Sequence, residues 1–183
     1  MRMGVASARR AGSRRGRRRR GCDRRFFSRL AARFDLTGAQ VLDLYAGSGS
    51  LGLEALSRGA ARVTFVDSSR AAVAAIEKNL RVFGFTDAAR LITADVMRTL
   101  TDLGAAREHF DLVFVDAPYA HDLSAEVLAA LVAKGLMVPQ GWAVVRQAGR
   151  APALAPAELE RVNEATLGDH RIALYRRFEE LPK

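Results

Sequence analysis

The chain has 183 residues, enough for one α/β domain with a well-buried core and too few for two. Hydrophobic residues make up 49% and charged residues 27%, ordinary for a soluble globular protein, and the apolar runs are strand-sized, well short of the roughly 18 to 20 residues of a membrane span. The net charge of +9 is uneven: residues 1–25 hold 11 Arg and one Asp, whereas the remaining 158 hold 18 basic and 19 acidic residues.

All of the basic excess therefore lies in the first 25 residues. Their Arg/Gly/Ser/Ala composition cannot bury a core, so an Arg-rich disordered tail is expected there, with the domain proper over 26–183. The tail reads either as a phosphate-binding arm that displaces condensed counterions from nucleic acid, or as a solvated arm with no specific role. No apolar segment follows these basic residues as a secretory signal requires, so a cytoplasmic protein is expected. Cys22 is the single cysteine, and His109, His121 and His170 lack ligand spacing, so neither a disulfide nor a metal site is expected.

In chain order, Phe26, Phe27, Leu30, Ala31 and Phe34 have helical spacing. Gly38 breaks the chain before a strand over Gln40–Tyr45, a glycine-rich turn over Ala46–Ser50 and a helix over Leu51–Ser57. Arg62–Asp67 is the second strand, and Ser69–Phe83 a helix with Ala72, Val73, Ile76 and Leu80 on one face. Ala89–Thr93 is a short strand, Val96–Leu103 a helix, Phe110–Val115 a fourth strand, Ser124–Lys134 a helix and Trp142–Arg146 a fifth strand. Leu159–Thr166 and Arg171–Arg177 pair around Gly168-Asp169. This alternation predicts a Rossmann-like α/β fold: a mainly parallel sheet, helices on both faces and an antiparallel C-terminal edge. In such sheets the ligand lies beyond the carboxyl ends of the strands.

The motifs fall at those ends. In Val41-Leu-Asp-Leu-Tyr-Ala-Gly-Ser-Gly-Ser-Leu-Gly52, the glycines at 47, 49 and 52 fit G-x-G-x-x-G between a strand and a helix. Such a turn could hold a dinucleotide pyrophosphate, but Asp43 would repel one; its carboxylate suits the α-ammonium of a methionine moiety. Asp67, 20 residues after Gly47, can accept hydrogen bonds from both hydroxyls of a ribose. Asp95 closes the third strand and either accepts from an adenine amino group or caps the helix that follows; the two roles can coexist. Phe114-Val-Asp-Ala-Pro-Tyr119 ends the fourth strand. An exocyclic amine on a base is a poor nucleophile because its lone pair is delocalised. Asp116 and the backbone carbonyls fixed by Pro118 can accept its N–H groups and favour a pyramidal nitrogen, while Tyr119 offers a stacking face for a base taken out of its stack. Together these residues predict methyl transfer from S-adenosylmethionine to a base amine.

Asp-Ala-Pro-Tyr resembles the (Asp/Asn)-Pro-Pro-(Tyr/Phe) motif of amino-group methyltransferases, and Leu42–Ala60 is similar to the RsmD family, which methylates guanine N2 in bacterial 16S ribosomal RNA. The resemblance runs from roughly Phe27 to Arg177 and keeps order and spacing. It implies a class I methyltransferase fold, S-adenosylmethionine as cofactor, and 16S ribosomal RNA or the assembling small subunit as partner. Asp43, Gly47 and Gly49 would then line the cofactor turn, Asp67 would bind ribose, Asp95 the adenine end, and Asp116, Pro118 and Tyr119 the target base. Tyr45, Ser48 and Ser68 adjoin these and complete the expected cofactor-binding set.

The chain departs from the pattern twice. Ala117 stands where the motif has its first proline. Residues 1–25 replace a short β-rich segment and an Arg-Pro-Thr stretch; such an Arg/Gly/Ala/Ser run is what a GC-rich gene yields in a wrong frame, so a shifted start is a further expectation. Three other readings stand beside the favoured one: the same chemistry on adenine or cytosine in DNA, a nicotinamide-dependent dehydrogenase, and a catalytically impaired nucleic-acid-binding protein. The dehydrogenase leaves Asp43 and Asp116-Ala-Pro-Tyr119 unexplained.

Overall fold

A computed structural model describes residues 35–117, 123–148, 154, 158–167 and 169–178. The expected tail, the helix over Phe26–Phe34, and Pro118 and Tyr119 lie outside the described residues. The elements are β1 (Gln40–Leu44), α1 (Ser50–Ser57), β2 (Arg62–Asp67), α2 (Arg70–Phe83), β3 (Ala89–Thr93), α3 (Val96–Ala105), β4 (Phe110–Val115), α4 (Ser124–Ala133), β5 (Met137–Ala148), β6 (Leu159–Leu167) and β7 (His170–Arg177). They form one seven-stranded sheet in the order β3-β2-β1-β4-β5-β7-β6. The first five strands are parallel, and β7 runs antiparallel to both β5 and β6. The strand order reverses between β1 and β4, which makes the carboxyl ends of these two neighbours the switch point.

Both faces of the sheet are covered, and strand alternation sorts the side chains between them. Val41, Val63, Phe65, Leu112, Phe114 and Val144 pack against α1 and α2 through Leu51, Ala55, Ile76 and Leu80. Leu42, Leu44, Val113, Val115 and Val145 pack on the other face against α3 and α4, through Leu100, Leu103, Val127, Leu128 and Leu131. β4 therefore carries the unbroken apolar run Leu112–Val115, and β1 and β2 carry runs interrupted by Asp43 and Thr64. Asp43 shares the parity of Val41, Asp116 that of Phe114, and Arg146 that of Val144. The alternation thus places all three on the α1/α2 face.

Helix boundaries follow local chemistry. Ser69 caps α2 by accepting from the Ala72 amide at 3.3 Å, and Gly84 ends it in a left-handed conformation. The strand expected over Trp142–Arg146 extends instead over Met137–Ala148. Pro139, Gln140 and Gly141 form an irregularity within the strand: Phe110 pairs with Met137 and Leu112 with Trp142, so Val138–Gly141 bulge opposite Asp111. Gln140 takes φ 64° to make this excursion.

Candidate active site

Asp43 is the penultimate residue of β1, and its neighbours shield it from solvent: it is 1% exposed. One carboxylate oxygen, Oδ2, accepts from the Gly52 amide in the first turn of α1 at 3.0 Å. The other, Oδ1, is buried with no hydrogen-bond partner among the described residues. Burial pushes the Asp43 carboxyl up to about 8; the Gly52 amide and Arg146 oppose that rise, whereas Asp116 and Asp67 add to it.

Gly52 makes this approach possible. A Cβ there would stand 2.3 Å from Cε1 of Phe65 and 2.7 Å from Cγ1 of Val63, both on β2. With no side chain, α1 lies close on the sheet and its amide reaches Asp43. Gly47 and Gly49 carry the turn with φ 57° and 74°. Tyr45 also takes a left-handed φ of 56°, uncommon for a residue with a large side chain. Burial, together with the Asp95 and Glu126 carboxylates, raises the Tyr45 phenol above its ordinary value, so it remains a donor at neutral pH.

Asp67, at the end of β2, braces the same turn. Its Oδ2 accepts from the Gly47 amide and its Oδ1 from the Ser69 amide, each at 2.8 Å. A carboxylate has roughly four lone-pair sites, so these bonds fix its orientation and leave acceptor capacity. Ser48 is exposed on the turn, and its carbonyl accepts from Asn79 Nδ2 on α2 at 3.1 Å. Ser68 is exposed between β2 and α2, where Ser69, rather than Ser68, serves as the cap. Asp95 caps α3, accepting from the Arg98 amide at 3.0 Å, and its side chain is exposed beside the end of β3.

Asp116 lies one residue beyond β4, and its amide donates to the carbonyl of Leu44 on β1 at 3.4 Å. Its Oδ2 accepts from Arg146 Nη1 at 2.9 Å. Asp43, Tyr45, Gly47, Ser48, Gly49, Asp67, Ser68, Asp95 and Asp116 are thus gathered at the carboxyl edge of β1–β4, as their places on the strands predict. Two further residues come from outside that set. Asn79 gives no sequence signal, because its partner is a backbone carbonyl 31 residues away. Arg146 does give one: it is a cation closing the otherwise apolar run Trp142–Val145, with the same strand parity as Asp116.

Among the described residues no group of His, Cys, Asp and Glu could hold a metal ion. No helix among them is long and apolar enough to cross a membrane. The arrangement offers a buried acidic position, a second carboxylate able to bind vicinal hydroxyls, and a third beside them at the switch point.

Residues 22–176 match the family model described as Conserved hypothetical protein 95. The chain is 30% identical over 138 residues to ribosomal RNA small subunit methyltransferase D of Haemophilus influenzae, covering 75% of this chain and 71% of that protein. It is 32% identical over 143 residues to the protein of that name from Escherichia coli, covering 78% and 70%. The solved structure of the putative methyltransferase yhhF from Escherichia coli matches with a TM-score of 0.76 at 30% identity, over 88% of this chain and 86% of that one. An RNA methyltransferase from Salinibacter ruber, solved with S-adenosyl-L-homocysteine, matches with a TM-score of 0.66 at 16% identity over 90% and 95%; at that identity the likeness concerns the fold alone. The fold is the Rossmann-like methyltransferase fold, and the chain belongs to the family of ribosomal RNA small subunit methyltransferase D.

Proposed function

We propose that the protein transfers a methyl group from S-adenosylmethionine to the exocyclic N2 amine of a guanine in small-subunit ribosomal RNA. The observation that carries this reading is the meeting of Asp43 and Asp116 at the β1/β4 switch point, beside the glycine turn braced by Asp67. Two relatives, 30% and 32% identical over the 138 and 143 residues matched, are named ribosomal RNA small subunit methyltransferase D, which supports the substrate class.

The residues present fit the cofactor. The orphaned, buried Oδ1 of Asp43 is a ready acceptor for an ammonium group, directly or through water, and a cation there offsets the cost of ionising a buried carboxyl. Asp67 would take the ribose hydroxyls, with Asp95 and Tyr45 towards the adenine; Gly47, Ser48, Gly49 and Ser68 would line the remainder. When bound, the cofactor supplies a sulfonium methyl that the amine attacks in line. Asp116 accepts an N–H of that amine, localises its lone pair and can receive the proton after transfer. Pro118 and Tyr119 complete the base site in this reading, Tyr119 by stacking. The protein's contribution is alignment and the exclusion of water.

The test is transfer of labelled methyl groups to small-subunit ribosomal RNA, naked and protein-bound, followed by nucleoside analysis. N2-methylguanosine is expected; label in another nucleoside, or in DNA alone, would overturn the assignment. Asp116→Ala should abolish transfer and leave cofactor affinity within about twofold, because the lost contact orients the amine as it becomes a nucleophile. Wild-type transfer by that variant would refute the mechanism.

A further inference from the structure

We propose that Arg146 is a positioning residue for this reaction: its guanidinium anchors one oxygen of the Asp116 carboxylate so that the group is oriented to receive the substrate amine, and holds apart the charges of Asp116 and Asp43. The proposal rests on the amino-group transfer reading above.

The geometry is specific. Arg146 lies in β5, one position beyond the pair Val115–Val145, and Asp116 is one position beyond the same pair on β4. Their side chains therefore meet across adjacent strands at the rim of the site. Arg146 Nη1 stands 2.9 Å from Asp116 Oδ2, with side-chain exposures of 16% and 28%. Exposed ion pairs are weak because water screens them and long side chains must be immobilised. This pair differs: the Arg146 stem is packed, its strand is paired on both sides by β4 and β7, and the charge-assisted bond from Nη1 holds Oδ2 in place.

Asp116 needs such a restraint. It stands beyond the last paired residue of β4 and precedes Ala117, which has no ring to restrict the preceding backbone. Arg146 supplies the fixed reference instead. A carboxylate whose Oδ2 is engaged by a guanidinium retains lone pairs for an amine N–H, and its direction towards that amine is set before substrate arrives.

The surrounding charge gives Arg146 its second task. The groups acting on Asp43 are Asp67 from β2, Asp116 from β4, Arg146 from β5 and the Gly52 amide from α1. Arg146 is the cation of that set. It lowers the cost of ionising Asp43 while neutralising the like charge at Asp116. Without it, Asp43 would ionise at a higher pH, and a cationic cofactor would require more alkaline conditions to bind.

The experiment compares full-length wild type, Arg146→Gln, Arg146→Lys and Asp116→Ala by thermal unfolding, steady-state transfer to small-subunit ribosomal RNA, and calorimetric binding of S-adenosylmethionine from pH 6 to 9. Arg146→Gln should lower kcat by roughly 10- to 100-fold, as loss of a hydrogen bond to a charged group implies, with KM for RNA nearly unchanged. The pH midpoint of cofactor binding should move upward. Arg146→Lys should keep the wild-type midpoint, because the charge remains, and recover only part of kcat, because the Nη1 contact does not. A Gln variant with wild-type kcat and an unmoved midpoint would overturn the proposal. If the Gln variant fails to fold, a folded Lys variant with wild-type kcat overturns the positioning role. Asp116→Ala separates the two ideas: wild-type transfer by that variant sinks the amino-transfer reading, whereas its inactivity beside an unaffected Arg146→Gln sinks only the role of Arg146.

Discussion

Asp43→Asn should make the protein more stable and a poorer cofactor binder, and the gain in stability should grow with pH. The wild-type carboxyl titrates near 8 in the folded state, against an ordinary value of 3.8. Between these values the folded chain holds a proton that the unfolded chain has released, so Asp43 lowers stability as pH rises through this window. Each unit is worth about 1.4 kcal/mol, so the roughly three units up to pH 7 amount to at most about 4 kcal/mol. The amide has nearly the shape of the neutral acid, can still accept from the Gly52 amide, and has no charge to desolvate. Urea unfolding of both proteins from pH 5 to 9 should therefore give a stability difference that is smallest at pH 5, widens with pH and levels off above about 8. Calorimetry at pH 8 should show S-adenosylmethionine affinity falling by roughly 10- to 100-fold, because the ammonium loses a charged partner. A stability difference that stayed flat with pH would mean that water reaches Asp43 and that burial does not raise its carboxyl.

Asp67→Ala should weaken S-adenosylmethionine by roughly 10- to 100-fold and also loosen the turn, since the Gly47 and Ser69 amides both lose their acceptor; unchanged affinity in a calorimetric titration would remove Asp67 from the site. Gly52→Ala places a methyl group against Phe65 and Val63, both fully buried, for an overpacking cost of roughly 1 to 3 kcal/mol. Better helix propensity offsets about 1 kcal/mol, and the remainder should lower Tm by a few degrees, at about 2 to 4 °C per kcal/mol. A Gly52→Ala protein that melts above the wild type would show that α1 does not press on β2 at Phe65 and Val63.

The parallel half of the sheet was legible because β1, β2 and β4 are buried on both faces, so Val41-Leu42, Phe65-Val66 and Leu112–Val115 form apolar runs, with the β-branched Thr64 continuing the strand in β2. The first half of β5 was not. Pro139, Gln140 and Gly141 have turn chemistry, and pairing with β4 on either side keeps the excursion inside the strand. Asp43, Asp67 and Asp116 were readable because each ends or interrupts an apolar strand with a charge. Asp95 admitted two roles, and the structure displays the capping one through the Arg98 amide. Arg146 was visible as a residue but not as a partner, since only the β4–β5 pairing brings it to Asp116 across 30 positions of sequence.

Several departures from good local structure meet at the carboxyl end of β1, and their chemistry is informative. Tyr45 adopts a left-handed φ, Asp43 is a buried carboxyl with an orphaned oxygen, and Asp67 and Asp116 bring further negative charge towards it. None is required by the fold: a glycine at 45 would relieve the strain, and an asparagine at 43 would accept from the Gly52 amide as well as an aspartate does. Hydrogen bonding therefore does not explain Asp43; what aspartate adds over asparagine is negative charge, which the folded core alone disfavours. A cationic ligand reverses that balance, because it attracts Asp43 and Asp67, whereas Asp116 is already paired with Arg146. The same local cost that destabilises the protein alone thus becomes affinity for a cation at the carboxyl ends of β1 and β2.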